Sequence, residues 1–197
     1  MKNIMKNTMQ TVMKSVYAGL MIGISAIVYL SVENKLAGSL LFSFGLLTIV
    51  TQGFYLYTGK IGFVKKISEL ADMFIIICGN YAGTLLAALA GKAAGLAISS
   101  VQLAEKKLDN DLAHVFVLSM FCGVMMYLAI DNYNKSKNIV FIIAPVMIFI
   151  LSGFEHSIAN MFYFNFAGIH SLKSYGVLFV MLAGNGIGAR LFGMKQE

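Results

Sequence analysis

The sequence has little charge and few residues that interrupt or cross-link a chain. Only 12% of its 197 residues are Asp, Glu, Lys or Arg, it has one proline and no tryptophan, and 58% of it is hydrophobic. A soluble domain of this size could not bury so much apolar surface, so the composition predicts a membrane protein. Two cysteines, Cys78 and Cys122, form no CxxC pair and no disulfide framework, and we expect both to be buried free thiols.

Sequence motifs of common enzymes are also missing. The chain has no G-x-S-x-G, no H-E-x-x-H and no P-loop, and its cysteines have no metal-ligand spacing. We therefore predict neither an enzyme nor a bound metal or cofactor. The basic residues are scattered over short loops without interleaved aromatic residues, so nucleic acid is not an expected partner.

Six stretches without Asp, Glu, Lys or Arg run along the chain, most of them close to the ~20 residues that cross a hydrocarbon core. They are Ser15–Val32, Leu36–Gly59, Met73–Gly91, Leu112–Ile130, Asn138–Phe154 continued by Ser157–Leu172, and Ser174–Ala189. The fifth stretch is too long for one straight span and is best interpreted as a broken helix. These stretches predict an all-α protein with six transmembrane helices in the lipid bilayer.

The net charge of +6 is distributed unevenly between the two sides of the predicted membrane. With the N-terminus inside, ten basic residues lie on the cytoplasmic side and five on the outer side. The ten are Lys2, Lys6, Lys14, Lys60, Lys65, Lys66, Lys135, Lys137, Arg190 and Lys195, and the five are Lys35, Lys92, Lys106, Lys107 and Lys173. Because cytoplasmic loops carry an excess of Lys and Arg, we predict a cell-membrane protein with both termini in the cytoplasm.

Polar residues interrupt two of the apolar stretches. Glu155, His156 and Asn160 fall in the fifth, where ionisable groups are costly and usually belong to a transport pathway. A buried Glu–His pair that only holds helices together is the alternative. Residues 51–59 mix glycines, hydroxyls and aromatics in the second, which indicates a loop lining a wet cavity or a simple helix end rich in glycine.

An internal repeat links the two halves of the sequence. Gly79-Asn80-Tyr81-Ala82-Gly83 in the third stretch recurs as Gly184-Asn185-Gly186-Ile187-Gly188 in the sixth, and Phe42–Gly45 resembles Phe149–Gly153. Three spans in each half would place the copies in opposite orientations, as in transporters with inverted repeats. Close helix packing alone could also account for the small residues.

These observations divide a single transmembrane domain, residues 1–197, into three parts. Residues 1–14 carry Met5, Met9, Val12 and Met13 at helical spacing, which predicts an interfacial amphipathic helix. Residues 15–97 form the first repeat and residues 111–193 the second.

Five motifs are spread over nearly the whole chain. They are Phe42-Ser43-x-Gly45-Leu46, Leu56-x-Thr58, Gly79-Asn80-x-x-Gly83, Ala104–Leu108 and Gly153–Phe162. Together they resemble the formate/nitrite transporter family, which includes hydrosulfide channels. The resemblance implies an aquaporin-like subunit with helices two and five broken, one pore per subunit, and a homopentamer.

The resemblance also implies roles for individual residues. His156 matches the central pore histidine, Thr58 matches the threonine that hydrogen-bonds near it, and Asn160 follows the histidine in the signature. Lys107 matches a lysine, in the loop between spans three and four, that draws anions inward. The hydrophobic constrictions on either side of the histidine correspond to Phe42, Leu46, Leu56 and Phe149. From the residue types alone, a solvated Lys107 and ordinary apolar core side chains are the alternatives.

The expected function is a channel or transporter for small monovalent weak-acid anions: formate, nitrite or hydrosulfide. Apolar constrictions cannot replace an anion's lost hydration, whereas protonating a weak-acid anion costs only ~1.4 kcal/mol per pH unit above its pKa. Lys107 would attract the anion, which would pass His156 as a protonated or histidine-stabilised species. A channel for small neutral solutes and a non-conducting structural protein are the alternatives, although the single proline, Pro145, excludes the paired Asn-Pro-Ala pattern of aquaporins.

Overall fold

The computed structural model describes residues 2–96 and 100–194, with side chains for residues 8–96 and 101–194, and this part of the chain is helical without strands. The helices are α1 (Lys2–Ser31), α2 (Lys35–Thr51), α3 (Tyr57–Lys60), α4 (Leu70–Ala93), α5 (Ser100–Asp109), α6 (Leu112–Ser136), α7 (Val140–Leu151), α8 (Ser157–Ala167) and α9 (Leu172–Gly193). Two 3-10 turns, Ile61–Phe63 and Ile67–Glu69, connect α3 to α4.

Four helical stretches in the described ranges are long and apolar enough to cross a membrane. They are Thr8–Ser31, Ile67–Ala93, Leu112–Ser136 and Leu172–Gly193. Helices α2 and α7 are apolar but shorter, with 17 and 12 residues. Each is followed by a short non-helical segment and then by a further helix, α3 or α8. The chain therefore leaves helical structure in both stretches where polar residues interrupt the apolar sequence.

Helix α1 continues without a break through the segment predicted as an interfacial helix. It runs from Lys2 to Ser31, and no glycine or proline precedes Gly19 to end it earlier. Met9 and Met13 are exposed on this helix. The Lys2, Met5 and Lys6 side chains, Ala97 at the end of the first predicted repeat, and Lys195 lie outside the described residues.

Helix α8 lies at the centre of the fold. Its residues from Ser157 to Phe166 are all buried, and it contacts α1, α4, α5 and α9. The longer helices pack around it in two matching pairs, α1 with α4 and α6 with α9. A side chain at Gly83 would overlap the carbonyl of Val16 in α1, and one at Gly188 would overlap the carbonyl of Met120 in α6. The repeated glycines thus allow the same close helix approach in each pair.

The two breaks have the same local geometry. Gly53 and Gly153 have φ angles of 65° and 71°, the left-handed region that favours glycine. In each break the next residue donates its N–H back to the preceding helix at 2.9 Å, from Phe54 to Ile49 and from Phe154 to Phe149. Within the breaks and the helices that precede them, equivalent positions are therefore one hundred residues apart, so Gly153 corresponds to Gly53.

This register corrects one detail of the predicted repeat. Phe149 corresponds to Ile49, so the pairing of Phe42–Gly45 with Phe149–Gly153 is wrong. That pairing compared residue types and not the backbone geometry of the breaks. The prediction for the cysteines is also wrong in part, because Cys122 is buried but Cys78 is exposed on α4. An apolar helix of a membrane protein has an outward face where a thiol needs no protein partner.

Candidate functional site

His156 lies at the start of helix α8 and is 2% exposed. Its Nδ1 atom accepts a hydrogen bond of 3.0 Å from the backbone N–H of Ala159, which makes the side chain the N-cap of the helix. An Nδ1 atom that accepts a hydrogen bond carries no proton, so the neutral ring has its proton on Nε2. The cap thereby fixes both the orientation and the tautomer of the imidazole.

Thr58 meets this ring from the other half of the chain. It lies in α3, is 1% exposed, and its Oγ1 atom is 2.9 Å from Nε2 of His156. With the ring proton on Nε2, the imidazole donates this hydrogen bond and the threonine hydroxyl accepts it. The structure therefore brings together two of the site residues that the sequence predicts, although they are 98 positions apart.

Asn80 of α4 holds the backbone at the first break. Its side-chain oxygen accepts from the N–H of Tyr57 at 2.9 Å, and its Nδ2 donates to the carbonyls of Ser15 and Tyr55, both at 2.8 Å. These contacts supply partners for polar backbone groups at the end of the break, which would be costly if left unpaired in an apolar interior.

Asn185 of α9 makes the same three contacts at the second break. It accepts from the N–H of Ser157 at 2.9 Å and donates to the carbonyls of Ser119 and Glu155, both at 2.8 Å. The repeated motif is visible in the sequence, but its residue types alone assign the asparagine no role. The sequence feature that points to this role is an asparagine at the same place of the repeated motif in two apolar stretches.

Lys107 reaches into the protein instead of projecting from a loop. It lies on α5, and its Nζ atom is 2.6 Å from Oε2 of Glu155. The lysine side chain is 13% exposed and the carboxylate 3% exposed, so the lysine is not a solvated surface cation. Lys107 thus lies in the predicted connection between spans three and four, but this connection is helical there, because Leu, Ala, Glu, Gln and Lys in this segment favour helix formation.

Asn160 belongs to the same polar cluster. Its Nδ2 atom donates to Oε2 of Glu155 and to the carbonyl of His156, each at 2.9 Å. It thus joins the ion pair to the first turn of α8 by bonds to the carboxylate and the backbone.

A cavity of about 120 Å³ lies beside this cluster. Lys107, His156 and Asn160 contribute polar groups to its wall, and two of the predicted constriction residues, Phe42 and Phe149, contribute aromatic rings. Those rings meet edge to face with centroids 6.2 Å apart, and Phe149 stacks on the imidazole at 5.5 Å. We call this space the first cavity.

A larger cavity of about 340 Å³, the second cavity, is lined by Leu56, Lys14 and Lys60, among others. Tyr29 lines the first cavity and Lys14 the second, and their separation of fifteen residues along α1 corresponds to about 22 Å. His156 lines the first cavity, and Leu56 and Gly59 on either side of Thr58 line the second, so the contact between Thr58 and His156 lies between the two cavities. The remaining predicted constriction residue, Leu46, is fully buried.

The second cavity contains functional candidates that are missing from the predicted site residues. Lys14, Lys60 and Tyr55 line it together, whereas the sequence indicates only a membrane orientation for the two lysines. The register of the two breaks would have identified them, since it makes Tyr55 the equivalent of Glu155.

The sequence profile of the formate/nitrite transporter family matches residues 1–195. The chain belongs to that family. Family membership confirms the predicted resemblance and, together with the long apolar helices, shows a multi-pass membrane protein. It also confirms that the chain is not an enzyme, because the family consists of transporters.

Relatives of this chain are named as channels or transporters, and solved channel structures share its fold. "Formate channel FocB" of Escherichia coli K12 is 28% identical over an alignment of 179 residues, and the match covers 76% of this chain and 64% of that relative. The chain therefore spans just under two thirds of its length. Among solved structures, "Pentameric formate channel with formate bound" superposes with a TM-score of 0.80 at 22% identity, covering 95% of this chain and 94% of the other. "FNT family ion channel" gives 0.88 at 21% identity, covering 95% and 88%.

Proposed function

We propose that this chain forms one subunit of a homopentameric membrane channel for small monovalent weak-acid anions, with formate, nitrite and hydrosulfide as candidate substrates. The family and its relatives named as formate channels support this class of function. The observation that carries the proposal is the buried contact between Thr58 and His156, which lies between two cavities that both have lysines in their walls.

In the proposed membrane arrangement, α2 with α3 and α7 with α8 form two broken spans, and the four longer helices supply the other four. The matching asparagine contacts and glycine turns support two inverted three-helix repeats in an aquaporin-like subunit. The excess of Lys and Arg on one side supports cytoplasmic termini in the cell membrane.

An anion entering the first cavity would meet Lys107 as a hydrogen-bond donor. Because Glu155 lies 2.6 Å from the ammonium group, the lysine charge is largely balanced, and this cavity attracts anions mainly at short range. The anion competes with the carboxylate for the lysine, and Asn160 keeps the carboxylate in place when that contact loosens.

Between the cavities, Phe42, Leu46, Leu56 and Phe149 form apolar constrictions that cannot replace the hydration of an anion. His156 supplies an Nε2–H and Thr58 a hydroxyl at this point, and the N-terminus of α8 adds a positive potential. Protonating Nδ1 would break the bond from Ala159 that caps α8. In our proposal the imidazole therefore stays neutral and stabilises the permeating species by donating from Nε2.

The function is tested by uptake into liposomes that contain the purified protein. Formate, nitrite and hydrosulfide uptake should exceed that of empty liposomes and increase when an inward proton gradient is imposed, while glycerol uptake should not change. Acceleration of glycerol alone, or of no solute, contradicts the proposal.

The assembly is tested separately in mild detergent. Native mass measurement should give five times the subunit mass of 21.5 kDa. A stable monomer or dimer would contradict the proposed pentamer and leave the uptake result to decide the function.

A further inference from the structure

The two breaks hold different side chains on the same backbone frame. Tyr55 donates its N–H to the carbonyl of Lys14 at 3.1 Å, and Glu155 donates its N–H to the carbonyl of Leu118 at 3.3 Å. The carbonyl of Tyr55 accepts from Asn80 as that of Glu155 accepts from Asn185. Tyr55 therefore occupies the place of Glu155, and the lysines that line the second cavity lack the carboxylate that pairs with Lys107 in the wall of the first cavity.

Two lysines share the ring of this tyrosine. The Nζ atom of Lys60 lies 4.1 Å from the ring centroid and that of Lys14 lies 5.0 Å from it, so the two cations are within 9.1 Å of each other. Both side chains line the second cavity and both residues are partly buried. The ring face attracts the cations, but it contributes no charge to balance them.

No carboxylate compensates these two charges within the described part of the chain. Neither Lys14 nor Lys60 has an Asp or Glu oxygen within 4.0 Å, and no acidic residue lines the second cavity. In the first cavity, by contrast, Lys107 is paired with Glu155. The two cavities thus differ in charge. Among the described residues, the lysine of the first cavity is paired with a carboxylate, whereas the two lysines of the second cavity are not.

We propose that the second cavity is a binding site for a small monovalent anion, held between the ammonium groups of Lys14 and Lys60. An anion there relieves the repulsion between the lysines and gains attraction from both. The second cavity therefore binds the anion more tightly than the first cavity does. The identity of the anion rests on the proposed function, whereas the charge asymmetry does not.

The binding site is tested by titrating the detergent-solubilised protein with ¹³C-labelled formate and following the line width of the ligand signal. Lys60→Met should weaken binding by about threefold, the effect of one unit charge about 6 Å away in a water-like dielectric. Tyr55→Glu should weaken it further, since a carboxylate would pair with the lysines.

Lys137→Met is the matched control. Lys137 also lies over a tyrosine ring, that of Tyr133 at 5.4 Å, but it does not line the second cavity. Its replacement should leave formate binding unchanged. If Lys60→Met and Tyr55→Glu bind formate as the parent does, the proposed site is wrong.

Sidedness is measured as formate uptake into right-side-out and inside-out membrane vesicles. The half-saturating concentration should be about threefold or more lower when formate enters from the second cavity, and Lys60→Met should reduce this difference. Equal values from the two sides in the parent overturn the inference and leave the channel function intact. Formate binding that depends on Lys60, without any uptake, supports the site and contradicts the channel function.

Discussion

Replacing His156 by Asn separates the two contacts that its ring makes. Nδ1 caps α8 by accepting from Ala159, and Nε2 lies against Thr58 between the cavities. Asparagine is among the most favourable N-cap residues, so His156→Asn keeps an acceptor for the helix. Its shorter side chain withdraws the donor from Thr58. His156→Phe removes the cap and the donor together.

Loss of the Nε2 donor affects the rate of formate uptake, whereas loss of the cap affects the stability of the protein. A hydrogen bond to a charged group is worth about 1.5–3 kcal/mol. Since each 1.36 kcal/mol of barrier is about tenfold in rate, formate uptake by either variant should fall by at least ~10-fold. Loss of the cap costs about 1 kcal/mol of stability, so His156→Phe should unfold more easily than His156→Asn by about that amount.

Both quantities are measured on the same purified samples. Formate uptake into liposomes gives the rate, and thermal unfolding in detergent gives the stability. Thr58→Val removes the hydroxyl that faces His156 with little change in side-chain size, and it should also lower formate uptake. A correctly assembled His156→Asn protein that carries formate at the parent rate would refute the role of Nε2.

Lys107→Met should lower the unfolding free energy by about 3–5 kcal/mol, because it leaves the buried carboxylate of Glu155 unpaired, and adding Glu155→Gln should recover most of the loss. Thermal unfolding of the single and double variants checks this, and equal stabilities would contradict it. Asn80→Ala and Asn185→Ala should each cost about 2–4 kcal/mol, because each removes three hydrogen bonds. A large difference between the two in denaturant unfolding would show that the breaks are not equivalent. Gly83→Leu should abolish folded protein in size-exclusion profiles, because its Cβ would overlap the backbone of α1.

Much of the fold was predictable because water and lipid impose different costs on the same residue. Polar groups within apolar stretches are costly, so residues 51–59 and the segment around His156 stood out as breaks. Family resemblance then paired Thr58 with His156, which composition and periodicity could not do across 98 positions.

Other features depend on side-chain partners that spacing does not reveal. The sequence indicates that Lys107 is basic and that Glu155 is acidic, but it does not show that a helix between the third and fourth long apolar stretches of the chain brings them within 2.6 Å. The role of Asn80 was missed for the same reason, since its three partners come from two other segments. The wrong register of the repeat followed from matching residue types where the backbone turn was decisive.

The backbone contacts that hold each break do not involve the side chain that sets the local charge. At each break the backbone N–H and carbonyl of the residue at position 55 or 155 are both held, the N–H by a neighbouring helix carbonyl and the carbonyl by Asn80 or Asn185. Its side chain is not needed for that frame, so glutamate and tyrosine occur at equivalent places without a change in backbone geometry. The charge of each cavity can therefore be changed by substitution at these two positions while the contact between Thr58 and His156 is preserved.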